Sequence, residues 1–168
     1  MVEQRDIDII FDNPIDWEKF RDKTILVTGA TGRLGMYIVD ALIKADVDWN
    51  LNLNLRVIAL ARDKSKLQRL FGRMLQLPNI SVAIQDINDP ISYDQDVDCI
   101  FHTAGAASPK DFTETPVDTL WGHINGTHNV LEFAKVHNTQ RLLYVSTVEV
   151  YGEWQNQDNI RETVTGEL

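Results

Sequence analysis

Gly29, Gly32 and Gly35 stand three residues apart in Thr28-Gly29-Ala30-Thr31-Gly32-Arg33-Leu34-Gly35. Residues without a side chain at that spacing let the backbone close on a phosphate group. A helix that starts there aims its unpaired N–H groups at the anion. Both flanks suit that use: Thr24-Ile25-Leu26-Val27 reads as a short buried strand, and Met36-Tyr37-Ile38-Val39-Asp40-Ala41-Leu42-Ile43 has helical spacing. Strand, glycine turn and helix in that order open a nucleotide-binding βαβ unit. A second chemical position ends the next apolar run, Ala59-Leu60-Ala61-Arg62-Asp63. An acid there would hold the ribose hydroxyls of NAD, whereas Arg62 can neutralise a 2′-phosphate or stack on adenine. Asp63 is equally suited to capping the following helix. Arg62 is therefore expected beside the adenine ribose, and it leans the choice toward NADP or dual use.

Short β-rich runs alternate with helical ones from Thr24 onward. Strands are expected at 24–28, 55–61, 80–84, 98–103 and 141–146, and helices at 34–45, 64–76 and 116–137, with a weaker helical signal over 87–96. That alternation predicts a parallel sheet with right-handed crossovers, an α/β fold of the Rossmann-type doubly wound kind. Thr115-Pro116 offers a hydroxyl N-cap followed by proline at the first helical position. Leu77-Pro78-Asn79 closes the second helix, and Asp46 to Asn54 reads as an extended first helix-to-strand loop. Before the first strand, Ile7, Ile10 and Phe11 fall on one helical face, with Ile15, Trp17 and Phe20 beyond Pro14. Residues 1–22 are thus expected to form an extension packed on the domain or on a partner, ahead of a dinucleotide-binding domain over 23–168. Trp49 and Trp154 are expected to pack at the edge of the core.

The chain has 168 residues, 43% hydrophobic and 24% charged, which suits one domain with a true core. Its net charge of −9 argues against nucleic acid, whose phosphates need a basic face. Cys99 is the sole cysteine, so neither an internal disulfide nor a cysteine metal site is possible, and no metal site is expected. The acidic start, Met1-Val2-Glu3-Gln4-Arg5-Asp6, does not resemble a signal peptide, and no long apolar span follows. A cytoplasmic location away from membranes is the expectation.

The spacing Gly-x-x-Gly-x-x-Gly within Thr-Gly-Ala-Thr-Gly resembles the extended branch of the short-chain dehydrogenase/reductase superfamily, the NAD-dependent epimerases and dehydratases. Further motifs follow in order: Gln85-Asp86-Ile87, Phe101-His102-Thr103-Ala104-Gly105, Gly126-Thr127-His128-Asn129, and Arg141 to Gly152 with Ser146-Thr147-Val148-Glu149-Val150-Tyr151. The resemblance spans about residues 23–165. It implies that Asp86 contacts adenine with Ile87 packed on it, and that Thr103, Ala104 and Gly105 pass beneath the cofactor. The implied cofactor site also takes in Gly29, Thr31, Gly32, Arg33, Leu34, Gly35, Ser146 and, from the residues themselves, Arg62. The family usually has Asn three positions before Gly126; here that residue is His123, which is expected either to lie near the cofactor or to be a solvated or capping histidine. The resemblance favours NAD, with NADP open because of Arg62.

At the chemical end, the resemblance implies that Thr147 hydrogen-bonds the reacting sugar oxygen and makes Glu149 a candidate acid/base. Both are offered as catalytic residues on a nucleotide sugar that passes through a transient 4-keto form. Val148 stands where similar 4,6-dehydratases carry a proton-donating Asp, and Ala107-Ser108-Pro109 looks more like the UDP-glucuronate decarboxylase group. Epimerases share the first step and stay open. The superfamily's Tyr-x-x-x-Lys pair, in which Lys lowers the Tyr pKa, has no counterpart: Tyr37, Tyr93, Tyr144 and Tyr151 are followed four residues later by Ala41, Val97, Val148 and Gln155. That implies a portion of a longer enzyme without its C-terminal substrate domain, with apolar surface exposed at the strand ends and self-association or a homodimer in consequence. The alternatives are an inactive dinucleotide-binding module or sensor, and an interaction protein using the fold as a scaffold.

Overall fold

The computed structural model describes residues 2–152 and 160–163. Trp154 lies outside the described residues. Five parallel strands form one sheet in the order β3-β2-β1-β4-β5: β1 is Thr24–Thr28, β2 Arg56–Ala61, β3 Ile80–Ile84, β4 Cys99–His102 and β5 Arg141–Tyr144. The central strand β1 pairs in register with β2 (Val27 opposite Ala59) and with β4 (Val27 opposite Phe101). Strands buried on both faces need continuous apolar runs, and Ile25-Leu26-Val27 and Val57-Ile58-Ala59-Leu60 supply them.

Alternate residues of those runs feed two cores. Ile25, Val27, Val57 and Ala59 meet Val39, Leu42 and Ile43 of α2 (Arg33–Val47) and Leu67 and Phe71 of α3 (Lys64–Phe71). On the other face Leu26, Ile58, Leu60 and Ile100 meet Val130 and Phe133 of α5 (Pro116–Val136). Helices therefore cover both faces, as the doubly wound expectation requires. The sheet grows from β1 toward β3, then reverses to add β4 and β5. Such a reversal opens a crevice at the carboxyl ends of β1 and β4.

Helix α1 (Gln4–Asp12) seats fully buried Ile7 against the domain. The Tyr37 hydroxyl donates to the Asp6 carboxylate, and Lys44 Nζ donates to Gln4 Oε1 at 2.7 Å. Phe11, Trp17 and Trp49 cluster behind it, with Phe11 and Trp49 centroids 3.9 Å apart. The N-terminal segment is thus packed on the domain, and Trp49 lies at the core edge.

Several local expectations change. The helix predicted over 64–76 ends at Phe71, because Gly72 turns to φ +44° and Gly72–Gln76 continue as a 3-10 turn. Residues 87–96 form no helix, since their polar atoms bond locally instead, as where Ser92 N–H meets Gln85 Oε1 at 3.0 Å. Thr115 does not cap α5: its hydroxyl donates back to the Asp111 carbonyl at 3.2 Å, although Pro116 does open that helix. A short helix not expected from periodicity, α4 (Pro109–Glu114), precedes it, capped by Ser108 Oγ, which accepts the Asp111 N–H. The loop expected from Asp46 begins two residues later. Asp46 stays in α2, where its carboxylate accepts both the Asn54 N–H and Asn79 Nδ2 at 3.0 Å. Strands 98–103 and 141–146 are shorter than expected at both or one end, respectively.

Asp63 is a true N-cap, accepting the Lys66 N–H at 2.9 Å. Asp63→Ala should lower the unfolding free energy by about 1 kcal/mol, read as a shift of the urea midpoint at constant slope.

Candidate dinucleotide-binding site

A cleft of about 750 Å³ opens at the carboxyl ends of the strands. Gly29 follows β1 at φ +65°, a backbone shape that side-chain-bearing residues resist. A Cβ there would lie 2.7 Å from the Ala104 nitrogen and 2.9 Å from the Thr103 carbonyl carbon, both backbone of the segment after β4. The Gly29 carbonyl accepts the Gly32 N–H at 2.8 Å, which folds the turn, and Gly32 is the N-cap residue of α2. Gly35 lies one turn into that helix. A Cβ on it would press on the Gly29 carbonyl and come within 2.8 Å of Thr103 Oγ1. Bare backbone at both positions brings β1, β4 and α2 together and leaves a shallow seat at the helix start. That seat fits a pyrophosphate, since it offers N–H groups and the positive end of α2.

On the far side of the cleft, Arg62 follows β2 and Asp86 follows β3, with Arg62 Nη1 3.5 Å from Asp86 Oδ2. Asp86 Oδ1 accepts the Asn88 N–H at 2.9 Å. Two asparagines one turn apart on α5 hold this loop: Asn125 donates to the Asn88 carbonyl at 2.7 Å and Asn129 to the Ile87 carbonyl at 2.9 Å. They act on the loop through its backbone; Asn129 stands in the Gly126–Asn129 motif, but neither asparagine is given a role by the sequence. The i, i+4 spacing of the two Asn, which puts them on one face of α5, was the available signal.

Gly29, Thr31, Gly32, Arg62, Asp86, Ile87, Thr103, Ala104 and Gly105 line the cleft. Arg33, Leu34 and Gly35 sit just behind the turn in α2 and do not contribute to the lining. His123 also lies outside it: its Nε2 is 3.0 Å from the Ala106 carbonyl, and its ring packs where a Cβ on Gly105 would go. It props the 103–107 segment from α5. Ser146 and Thr147 follow β5, the edge strand, and are exposed; neither lines the cleft. The Thr147 carbonyl accepts the Val150 N–H at 3.4 Å, starting a 3-10 turn over Val148–Tyr151 that contains Glu149. The Glu149 side chain lies outside the described residues.

Beneath the cleft sits a polar network that the sequence reading did not single out. Thr28 Oγ1 accepts the Ala104 N–H at 3.3 Å and lies 2.7 Å from His102 Nδ1, while His102 Nε2 lies 3.4 Å from Thr127 Oγ1. Thr28 and His102 are direct partners in the β1–β4 register. Burial, with a smaller contribution from His123, pushes the His102 pKa down to about 4, so the ring is neutral near pH 7. A neutral ring with its proton on Nε2 satisfies every contact: Thr28 donates to Nδ1, and Nε2 donates to Thr127.

The model of the NAD dependent epimerase/dehydratase family matches residues 25–168. The chain belongs to that family. UDP-glucuronic acid decarboxylase 6 of Arabidopsis thaliana is 33% identical over 132 residues, covering 77% of this chain and 35% of that protein. UDP-glucose 4-epimerase of Rickettsia bellii is 29% identical over 131 residues, covering 76% of this chain and 37% of that protein. The crystal structure of DesIV, a dTDP-glucose 4,6-dehydratase from Streptomyces venezuelae with NAD and TYD bound, superposes with a TM-score of 0.71 at 24% identity, covering 86% of this chain and 45% of that one. The chain therefore spans about a third of the length of the curated relatives it matches. The glycine turn and the cleft lie within the residues that the family model matches. Among the described residues, no helix is long and apolar enough to cross a membrane.

Proposed function

We propose that this chain holds a nicotinamide dinucleotide across the β1–β4 crevice, as the cofactor-binding part of a nucleotide-sugar epimerase, dehydratase or decarboxylase. The observation that carries the reading is the approach of Gly29 to Ala104, which only bare backbone allows and which leaves the seat at the start of α2. Gly29, Thr31 and Gly32 would hold the pyrophosphate, with Gly35 behind them. Asp86 and Ile87 would meet the adenine, and Thr103, Ala104 and Gly105 would pass beneath the nicotinamide half. His123 would keep that segment in place. A dinucleotide held there would supply reversible hydride acceptance, the chemistry that a transient 4-keto sugar would require.

Thr147 would hydrogen-bond the reacting sugar oxygen, with Ser146 beside it and Glu149 serving as acid/base. Val148 cannot transfer a proton, which favours decarboxylation or epimerisation over 4,6-dehydration. No tyrosine here is followed four residues later by lysine, so proton abstraction at the sugar oxygen is assigned to a group outside this sequence. The chain should therefore raise the fluorescence of a reduced nicotinamide dinucleotide, in competition with ADP-ribose, yet leave UDP-glucuronate and UDP-glucose unchanged when cofactor is added. Absence of binding would contradict the whole reading, and turnover by these 168 residues alone would contradict the placement of the base.

Self-association belongs to the same reading. Val117, Leu120, Trp121 and Ile124 form one exposed apolar face of α5, with Trp121 60% exposed. Sedimentation should show dimers or larger species that Trp121→Glu shifts to monomer. A wild-type monomer at all concentrations would contradict this.

A further inference from the structure

We propose that α4 is a strap across the dinucleotide cleft, latched by the Thr119 hydroxyl, and that it swings away to let the dinucleotide enter and leave. This rests on the dinucleotide reading above and adds how access to the cleft is controlled.

Ser108, Asp111 and Thr115 line the cleft, so α4 forms part of its wall. That wall continues directly from Thr103, Ala104 and Gly105. Yet α4 has little to hold it. None of its six residues is buried, and none of residues 107–115 joins either apolar core. Phe112, its large apolar side chain, is 52% exposed. A segment without buried apolar contacts opens at a lower free energy than the core beside it.

The polar contacts of α4 are largely its own. Ser108 Oγ donates to Asp111 Oδ2 at 2.7 Å, the Thr113 hydroxyl donates to the Pro109 carbonyl at 3.1 Å, and Lys110 pairs with Glu114 at 3.7 Å. Among the described residues, one hydrogen bond reaches α4 from the body of the domain: the Thr119 hydroxyl donates to the Asp111 carbonyl at 3.2 Å. The flanks are better fixed. His123 Nε2 holds the Ala106 carbonyl at 3.0 Å, and the Thr119 N–H donates to the Thr115 carbonyl at 2.9 Å, which ties Thr115 to the start of α5. Thr115 itself has φ −134° and ψ 56°, a non-helical break between two helices. The movable unit is therefore 107–114, between two anchored ends.

The latch is made to release. The Asp111 carbonyl also accepts the Thr115 N–H at 3.0 Å and the Thr115 hydroxyl at 3.2 Å. Three donors share two lone pairs, so the carbonyl stays satisfied when Thr119 lets go. The Thr119 hydroxyl lines the cleft, where water or the ligand can take its place as partner.

Stopped-flow mixing of NADH, and separately of NADPH, with wild type, Thr119→Val and Thr119→Ser reads entry. A chase of the loaded protein with ADP-ribose reads release. Thr119→Val keeps the side-chain shape and removes the latch. It should speed entry and release together, each about fivefold, and change their ratio by less than about twofold. Thr119→Ser keeps the hydroxyl and should keep wild-type rates. Hydrogen exchange on the unliganded wild type reads the motion without any variant. After correction for intrinsic rates, the amides of Phe112 to Thr115 should exchange about a hundredfold or more faster than those around Val130 of α5. Equal protection of α4 and α5 would overturn the inference, and so would wild-type rates in Thr119→Val. Slower entry with faster release in that variant would make Thr119 a ligand contact and would overturn it too. Each of these outcomes leaves the dinucleotide reading intact. Binding of neither cofactor would overturn that reading, and this inference with it.

Discussion

Gly29→Ala is expected to lower dinucleotide affinity about a hundredfold, equivalent to about 2.8 kcal/mol. Two costs combine. At φ +65° a Cβ meets the left-handed penalty of roughly 1–2 kcal/mol. The same Cβ would lie 2.7 Å from the Ala104 nitrogen and 2.8 Å from its Cα. Both are backbone atoms, which cannot turn aside as a flexible side chain can. The carboxyl ends of β1 and β4 must then part, which strains the bonds from Thr103 Oγ1 to the Thr28 carbonyl at 2.7 Å and from Ala104 N–H to Thr28 Oγ1. The pyrophosphate seat is distorted at its base. Gly72→Ala is the control. It carries the same kind of left-handed cost at φ +44°, but nothing lies within 4 Å of its Cβ, and it sits at the far end of α3. It should lose stability and keep wild-type affinity. Titration of both variants with reduced dinucleotide, next to their urea midpoints, separates the two effects. Wild-type affinity in Gly29→Ala would contradict the assigned seat.

Stability should fall as pH is lowered from about 6.5 to about 4, and a large part of that fall should belong to His102. Its folded pKa, about 4, lies below the ordinary value of 6.5 because the ring is buried, with His123 adding a smaller repulsion. Between those two values the unfolded chain binds the proton and the folded chain does not. Acid therefore favours unfolding in that window, by up to about 1.4 kcal/mol per pH unit and roughly 3 kcal/mol in total. The contribution is fully present above pH 6.5. Protonating Nδ1 would make it a donor at 2.7 Å, so the Thr28 hydroxyl would have to turn its own proton away and accept instead. His102→Asn should show a shallower decline in urea midpoint from pH 7 to pH 4.5. An unchanged slope would assign the acid sensitivity to other groups. Because Thr28 and Ala104 belong to the same network, dinucleotide affinity should weaken over the same window.

Much of the fold was legible because apolar runs and helical spacing are local signals. The bounds of β1 and β3 match the expectation, and Asp63 caps α3 as its position suggested. What escaped depends on contacts distant in sequence. Helix α4 is six residues long and held by Ser108, so it carries no periodicity to read. Thr115 offered a cap by type, but the nearby Asp111 carbonyl took its hydroxyl. The site was legible where backbone shape decides it, at Gly29 and Gly32. The Thr28–His102–Thr127 network was not, because a threonine and a histidine in β-rich runs look ordinary until register places them side by side. Asn125 and Asn129 likewise acquire their role only once α5 crosses the 86–89 loop.

The most direct test of the dinucleotide cleft is amide hydrogen exchange with and without bound cofactor. Saturating NADP⁺ or NAD⁺ should slow exchange in 28–36, 85–88 and 103–106, and leave the far end of the sheet around Asp46, Asn54 and Asn79 unchanged. Protection at that far end, or none along the Gly29–Gly35 turn, would contradict the assignment.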